Sequence, residues 1–236
     1  QRQMCIRDRF TGGINLGDEY INRKERFGYW KDTAVMIKGD AVQSLTMLFL
    51  QMWNVSELKK EKFEPYLTTM AKQLKPETGF VLPYGDSPYD HENVGEEVYV
   101  HILNHAKKYV HIMTPYLILD NGMLDTLTRA AKSGIEVCII MPHIPDKWYA
   151  FAVAKTYYRE LIEAGVNIYE FTPGFVHAKV FVSDDDTATV GTVNLDYRSL
   201  YLHFECGIFV YDNPVVHKIE KDFQETLKKS VCLLYT

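Results

Sequence analysis

The chain has 236 residues, 47% hydrophobic and 13% aromatic, with a formal net charge of −5. Such a length and composition suit one globular domain or two small ones and exclude a disordered chain. The acidic balance speaks against a general nucleic-acid binder, which needs a basic stripe, and no apolar run approaches the roughly 20 residues that span a bilayer.

Both ends read as foreign. Residues 3–9, QMCIRDR, back-translate to DNA ending ATGTGTATAAGAGACAG, and residues 232–236, CLLYT, to TGTCTCTTATACACA, the reverse complement of part of the first. Mirror-image DNA at the two ends resembles a transposase adaptor, so residues 1–9 and 232–236 are set aside as adaptor-like tails. On that reading the natural protein is expected to be longer on both sides. Setting aside Arg2, Arg7, Arg9 and Asp8 takes the 26 basic and 31 acidic residues to 23 and 30, which leaves the chain more acidic. Cys5 and Cys232 also drop out. Cys138 and Cys206 remain, both in apolar strand-like runs, and read as buried core thiols, not as a disulfide framework or a zinc site.

After the first tail comes GGINL (12–16), then DTAVMIKGDAV (32–42), in which an acid opens a hydrophobic strand, a turn and a helix. That helix, AVQSLTMLFLQMW, carries Val42, Leu45, Leu48, Phe49 and Met52 on one face. Residues 54–78 are charged and helix-prone and read as a connector. From Gly79 strands and helices alternate. GFVLPYG is a strand, NVGEEVYVHILNHAKK a helix, and YVHIMTPY a strand ending in a proline turn. DNGMLDTLTRAAKSG is a helix capped by Asp120 and stopped by Gly134. IEVCIIMP reads as a buried parallel strand, DKWYAFAVAKTYYRELIEAG as a helix stopped by Gly165, and VNIYEF, AKVFVSD, TATVG and HFECGIFVYD as strands. PVVHKIEKDFQETLKK closes the series as a helix that starts at proline. The pattern predicts an α/β fold, with helices covering a mixed, largely parallel sheet.

The N-terminal part repeats the C-terminal part. GGINL matches GTVNL at 191–195, and residues 32–42 align without gaps on ECGIFVYDNPV at 205–215. Residues 10–78 are therefore expected to hold the tail of one α/β unit plus a connector, and residues 79–231 a complete second copy.

The chemistry gathers in HAKVFVSDDDTATVGTVN, residues 177–194. His177 and Lys179 are two apart, so on a strand they share a face. Lys179 offers a positive charge, Asn194 amide donors and Thr192 a hydroxyl, a set suited to phosphoryl oxygens. His177 can act as nucleophile, general acid or general base. Lysine and asparagine already supply charge and donors, so no metal or other cofactor is required, and no carboxylate cluster suggests Mg²⁺. An exposed strand end with incidental polar residues is the bland alternative for His177 and Lys179. It gives way because Asp184, Gly191, Thr192, Asn194 and Glu205 all stand in register.

The run HAKVFVSD followed by GTVN resembles the HxKxxxxD(x)₆G(S/T)xN signature of the phospholipase D superfamily. Further stretches, TPYLILD, AGVNIYEF, GTVNLDYRSLYLHFE and DTAVMIKGDAV, look like bacterial cardiolipin synthases across residues 10–230. The resemblance implies a tandem-duplicated α/β/α sandwich in which two such motifs meet in one site. It also implies conversion of two phosphatidylglycerols to cardiolipin and glycerol through a phosphatidyl-histidine. It makes His177 the general acid/base, Lys179 and Asn194 phosphate ligands, and Glu205 the acid that orients the histidine. By the repeat, Asp32 takes the orienting role for the first copy and Asn15 the role of Asn194. Asp184 belongs to the signature's catalytic set, but lies an odd number of residues from His177, so it is expected to face away in a structural role.

The first copy's Asp would fall at position 5, where Cys5 stands inside the adaptor-like tail, and its His and Lys would precede residue 1. This chain is then expected to hold half the catalytic set and to be inactive alone. The missing half of the same chain would be its partner, with phosphatidylglycerol and membrane lipid as substrates and no nucleic acid. The protein is expected to face the cytoplasm at the cell membrane; its oligomeric state stays open. Two other readings remain: a phosphodiesterase that hydrolyses a phospholipid with the same residues, and a non-catalytic phosphate-binding module.

His101 and His105, four apart, are expected on a solvated or half-buried helix face. His203 is left open between site and core, and Tyr116 between lipid contact and closing the sheet. The aromatic helix with Trp148, Tyr149, Phe151, Tyr157 and Tyr158 is expected mainly in the core, with some residues possible at a lipid interface.

Overall fold

A computed structural model describes residues 8–67 and 78–233. In chain order the elements are β1 (Asp8–Gly12), β2 (Tyr29–Lys31), β3 (Ala34–Lys38), α1 (Ala41–Ser56), β4 (Phe80–Asp86), α2 (Val94–His105), β5 (Tyr109–Met113), β6 (Leu117–Ile118), α3 (Asn121–Lys132) and β7 (Glu136–Pro142). There follow α4 (Trp148–Glu163), β8 (Asn167–Phe171), β9 (Gly174–Val176), β10 (Val180–Ser183), β11 (Thr187–Gly191), β12 (Leu195–Asp196), α5 (Tyr197–Tyr201), β13 (Glu205–Tyr211), α6 (Val215–Leu227) and β14 (Ser230–Cys232).

The main sheet has eight strands in the order β14-β8-β7-β5-β10-β11-β13-β4. Strict alternation buries both of its faces. Val137, Ile139 and Met141 of β7 join Tyr99, Ile102, Leu127 and Leu161 of α2, α3 and α4 in one core. Cys138 and Ile140 of the same strand join Ile219 and Phe223 of α6 in the other. The result is the expected α/β/α sandwich with a mixed sheet, but not a largely parallel one. Among the described residues of this sheet only β5–β7 and β7–β8 pair parallel, each spanned by a helical crossover. The pairs β5–β10, β10–β11, β11–β13, β13–β4 and β8–β14 are antiparallel. β10 and β11 are joined by Asp184–Asp186 alone, too short a link for the dozen or more residues that a parallel connection needs.

Local signals act where expected. Asp120 accepts from the Met123 amide at 2.7 Å, and Gly134 and Gly165 take φ of +92° and +101° past α3 and α4. His101 and His105 stack at 4.0 Å on the exposed face of α2. The aromatic helix α4 divides: Tyr158 is buried, whereas Trp148 is 78% and Tyr149 56% exposed, because they open the helix beyond the sheet edge. Cys138 is buried as expected; Cys206 is only half-buried and lies 3.6 Å from the Thr11 hydroxyl.

The N-terminal segment packs on this unit. β1 and β3 pair antiparallel, Gly12 opposite Ala34, as β11 and β13 pair with Gly191 opposite Gly207. These are the positions that the sequence repeat equates. Ile37 and Val42 enter the core beneath α6. Pairing also runs into both stretches set aside as tails: Asp8 and Arg9 lie in β1, and Cys232 in β14. Strand pairing uses backbone groups, so it does not register an origin of the side chains. Cys5 and residues 68–77 of the connector lie outside the described residues.

Candidate active site

The pairings bring one edge of the sheet together. Val180 stands opposite Met113 and Val190, and Glu205 opposite Asp86, so β10 and β13 start where β4, β5, β7, β8 and β11 end. His177 and Lys179 lie in the extended segment leading into β10, at that edge.

β2 sets the histidine's partner. It pairs parallel with β9, Lys31 opposite Val176, and the Lys31 carbonyl accepts from the His177 amide at 2.7 Å. The next residue, Asp32, then meets the next residue, His177, with Nδ1 to Oδ2 at 2.9 Å; their side chains are 3% and 13% exposed. The acid expected to orient a first-copy histidine thus orients His177. A Cβ on Gly13 would fall 2.3 Å from Asp32 Oδ1 and 2.6 Å from the His177 carbonyl, so only glycine admits this approach. The Trp30, Tyr20 and Phe175 rings stand 5.1, 5.5 and 5.9 Å from the imidazole.

Burial depresses the His177 pKa, assisted by Lys179 and opposed by Asp32. With Nδ1–H directed at a carboxylate, Nε2 keeps its lone pair, the form that attacks or accepts a proton. Lys179 is 4% exposed, and its Nζ donates to the His177 carbonyl at 2.5 Å. Burial pushes its pKa down to about 7, against the charges of Asp32, Glu205, Asp196 and Asp146.

Glu205 does not bond to His177, contrary to the expectation from the signature. Its two oxygens accept from Thr192 at 2.5 Å and Ser199 at 2.8 Å, with His203 half-exposed 3.8 Å away. The Thr192 hydroxyl is therefore spent on Glu205, and one of the two amide hydrogens of Asn194 is directed at Ser199 Oγ, 2.9 Å away. Asn15 is exposed and donates to the Tyr20 hydroxyl at 3.2 Å, one ring removed from His177. These bonds are made within each segment, between residues 5 to 13 apart, by the turns that follow β1 and β11.

Asp184 is not in the site. It occupies the far end of β10 with φ +53°, where its carboxylate accepts from the amides of Lys107, Lys108 and Tyr109 at 2.6, 2.9 and 3.0 Å. A cavity of about 440 Å³ lies at that opposite edge, between Asp184, His101 and His105. Asp196 and Asp146, both felt at Lys179, were not singled out from the sequence. The available signal was their place in sequence, Asp146 shortly after the strand that ends at Pro142 and Asp196 two residues past Asn194 of the signature.

Among the described residues, His111, Glu136 and Cys138 alone bring three potential metal ligands within 4.8 Å of one another. They lie within the sheet, where His111 Nδ1 is held by Glu220 at 2.9 Å and burial pushes the Cys138 thiol up to about 12.

The architecture is that of the phospholipase D-like fold. A phosphatidylserine synthase of Haemophilus influenzae superposes with a TM-score of 0.69 over 96% of this chain and 61% of its own, at 16% identity. Nuc of Salmonella typhimurium, a phospholipase D family member, gives 0.54 over 65% of this chain and 99% of its own, at 17% identity. At the sequence level, the family described as "Cardiolipin synthase, PLD-like domain" matches residues 99–227. Cardiolipin synthase 2 of Bacillus anthracis is 39% identical over 94% of this chain and 43% of its own length. Cardiolipin synthase of Geobacillus kaustophilus is 37% identical over 96% and 45%. A protein of Streptococcus mutans described only as uncharacterized is 60% identical over 94% and 48%. The chain belongs to the phospholipase D-like cardiolipin synthase family, and it spans about half the length of the curated relatives it matches.

Proposed function

We propose that this chain supplies one half of a two-motif phosphatidyltransferase, which makes cardiolipin and glycerol from two phosphatidylglycerols. The observation that carries the reading is the Asp32–His177 hydrogen bond beside the buried Lys179. It joins a carboxylate from one segment to a histidine from the other, as a shared active site requires. In this reading a second His-x-Lys, supplied by the part of the protein preceding Gly12, faces His177 across the phosphate. Its histidine attacks phosphorus, a nitrogen–phosphorus bond forms, and the phosphorus–oxygen bond to glycerol breaks. His177, protonated at Nε2 as the imidazolium that Asp32 stabilises, gives that glycerol its proton and is left neutral. His177 then takes the proton of an incoming phosphatidylglycerol hydroxyl, which attacks phosphorus and releases the nucleophile. Lys179 holds the phosphoryl oxygens, and Glu205 orients the other histidine as Asp32 orients His177. Asn194 and Asn15 serve as the corresponding phosphate-side residues of the two copies once substrate displaces their present partners. The substrate is a lipid, so the whole protein works at the cytoplasmic face of the cell membrane. No helix among the described residues is long and apolar enough to cross a membrane.

The test is product analysis of the full-length protein on phosphatidylglycerol. Cardiolipin and glycerol in equal amounts, lost in His177→Ala, support the transferase. Phosphatidic acid as the sole lipid product makes it a hydrolase. Phosphate or lipid binding that survives His177→Ala, without turnover, makes it a binding module.

A further inference from the structure

Beside the signature residues stands a second group whose chemistry differs. Asp146 follows β7, and its Oδ2 accepts from the Tyr116 hydroxyl at 2.6 Å. Its Oδ1 is shielded from solvent and has no hydrogen-bond partner among the described residues. Such a carboxylate oxygen is costly to leave unsatisfied. It lies in the loop that leaves β7 at Pro142, the same edge of the sheet from which His177 and Lys179 lead into β10, and its negative charge raises the pKa of both.

Tyr116 is held there by the signature turn itself. Thr114 Oγ1 donates to the Tyr116 carbonyl at 2.9 Å and accepts from the Leu195 amide at 3.2 Å. β6 pairs with β12, Leu117 opposite Leu195, so Tyr116 and Asn194 each stand one residue before that pair. Lys147 Nζ lies 5.2 Å from the Tyr116 ring centroid, on its face, and closes the group from the other side.

A phosphodiester has no donor to offer a free carboxylate oxygen, and its negative charge is repelled there. Asp146 Oδ1 needs a donor, and the part of a phosphatidylglycerol that offers donors next to phosphorus is its hydroxylated headgroup. We infer that Asp146, held by Tyr116, recognises a hydroxyl of the alcohol attached to the phosphate and so selects polyhydroxy headgroups. This rests on the proposed reaction at the same site. The leaving glycerol and the incoming glycerol headgroup pass through one position, so a single carboxylate serves both. Water needs no such anchor. Asp146 is thus a specificity residue and Tyr116 a positioning residue.

The experiment uses the full-length protein in vesicles of phosphatidylglycerol or of phosphatidylethanol, whose headgroup carries no hydroxyl, and measures headgroup release and lipid products. In Asp146→Ala, release from phosphatidylglycerol is expected to fall about tenfold more than release from phosphatidylethanol. The ratio of phosphatidic acid to cardiolipin should rise by a similar factor. Tyr116→Phe should move both quantities in the same direction by less, and Asp146→Asn guards against a variant that fails to fold. Equal losses on the two lipids, with an unchanged product ratio in Asp146→Ala and Asp146→Asn, would overturn the inference. If the unsubstituted protein releases glycerol but makes only phosphatidic acid, the transferase reading fails while the lipid preference still decides the role of Asp146. Release of neither headgroup would sink both.

Discussion

At the scale of residues, two buried groups with depressed pKa values define the reaction's pH window. His177 must be neutral to accept a proton, and burial holds it below its ordinary 6.5. Asp32 works against that depression, so Asp32→Asn lowers the pKa further and moves the acid limb of the transfer half-reaction, where His177 is the base, to lower pH. The turnover number should fall about a hundredfold, because the ring loses the partner that holds its tautomer. Lys179 must be charged to hold phosphate, and its pKa lies at about 7. The lysine deprotonates as pH rises, so kcat/KM of the full-length protein should descend through about pH 7. Lys179→Arg stays charged and should carry that limb upward. A descending limb indifferent to arginine would assign it to another group.

At the scale of elements, the site depends on a parallel strand pair of three residues. β2 on β9 aligns Asp32 with His177, and Gly13 leaves the space they need. Gly13→Ala should lower kcat at least tenfold, measured alongside a melting curve, since something must shift where a Cβ would touch both partners. Asp184 illustrates the opposite case. Its three amide bonds tie the β10–β11 turn to the start of β5. Asp184→Ala should cost about 1–3 kcal/mol in urea unfolding, while the folded fraction of the full-length protein keeps its turnover. A loss of kcat without loss of stability would place Asp184 in the chemistry after all.

At the scale of the whole molecule, the described site holds one buried histidine hydrogen-bonded to its acid, and one acid, Glu205, whose oxygens go to Thr192 and Ser199 with only the half-exposed His203 at 3.8 Å. The 236-residue chain alone is therefore expected to form no cardiolipin. Adding the upstream half of the protein in trans should restore product, provided that it carries its own His-x-Lys. Turnover by the chain alone that rises steeply with protein concentration would instead show two copies joining their single motifs.

Much of this was legible from residues in order. The alternation in IEVCIIMP and the caps at Asp120, Gly134 and Gly165 are local, so the α/β class and its main helices follow from short-range physics. The spacing of His177, Lys179, Asp184, Gly191, Thr192 and Asn194 marked the site, because one strand and one turn present them. What spacing does not carry is which residue meets which across distant segments. The antiparallel turn from β10 to β11 was legible too, since Asp184–Asp186 is too short a link for a parallel connection, whereas the longer link from β11 to β13 leaves that pairing to the folded sheet. The bond of Asp32 to His177 arises where β2 adds to β9, 145 residues apart for the bonded pair, whereas Glu205 meets Thr192 and Ser199 within its own unit, 13 and 6 residues away. The meeting of Tyr116 with Asp146, 30 residues apart, likewise needs the folded sheet to bring the segments after β5 and β7 together. Local periodicity determined the elements and the signature; tertiary packing alone decided the hydrogen-bond partners, because a polar side chain bonds to whatever the fold brings within about 3 Å.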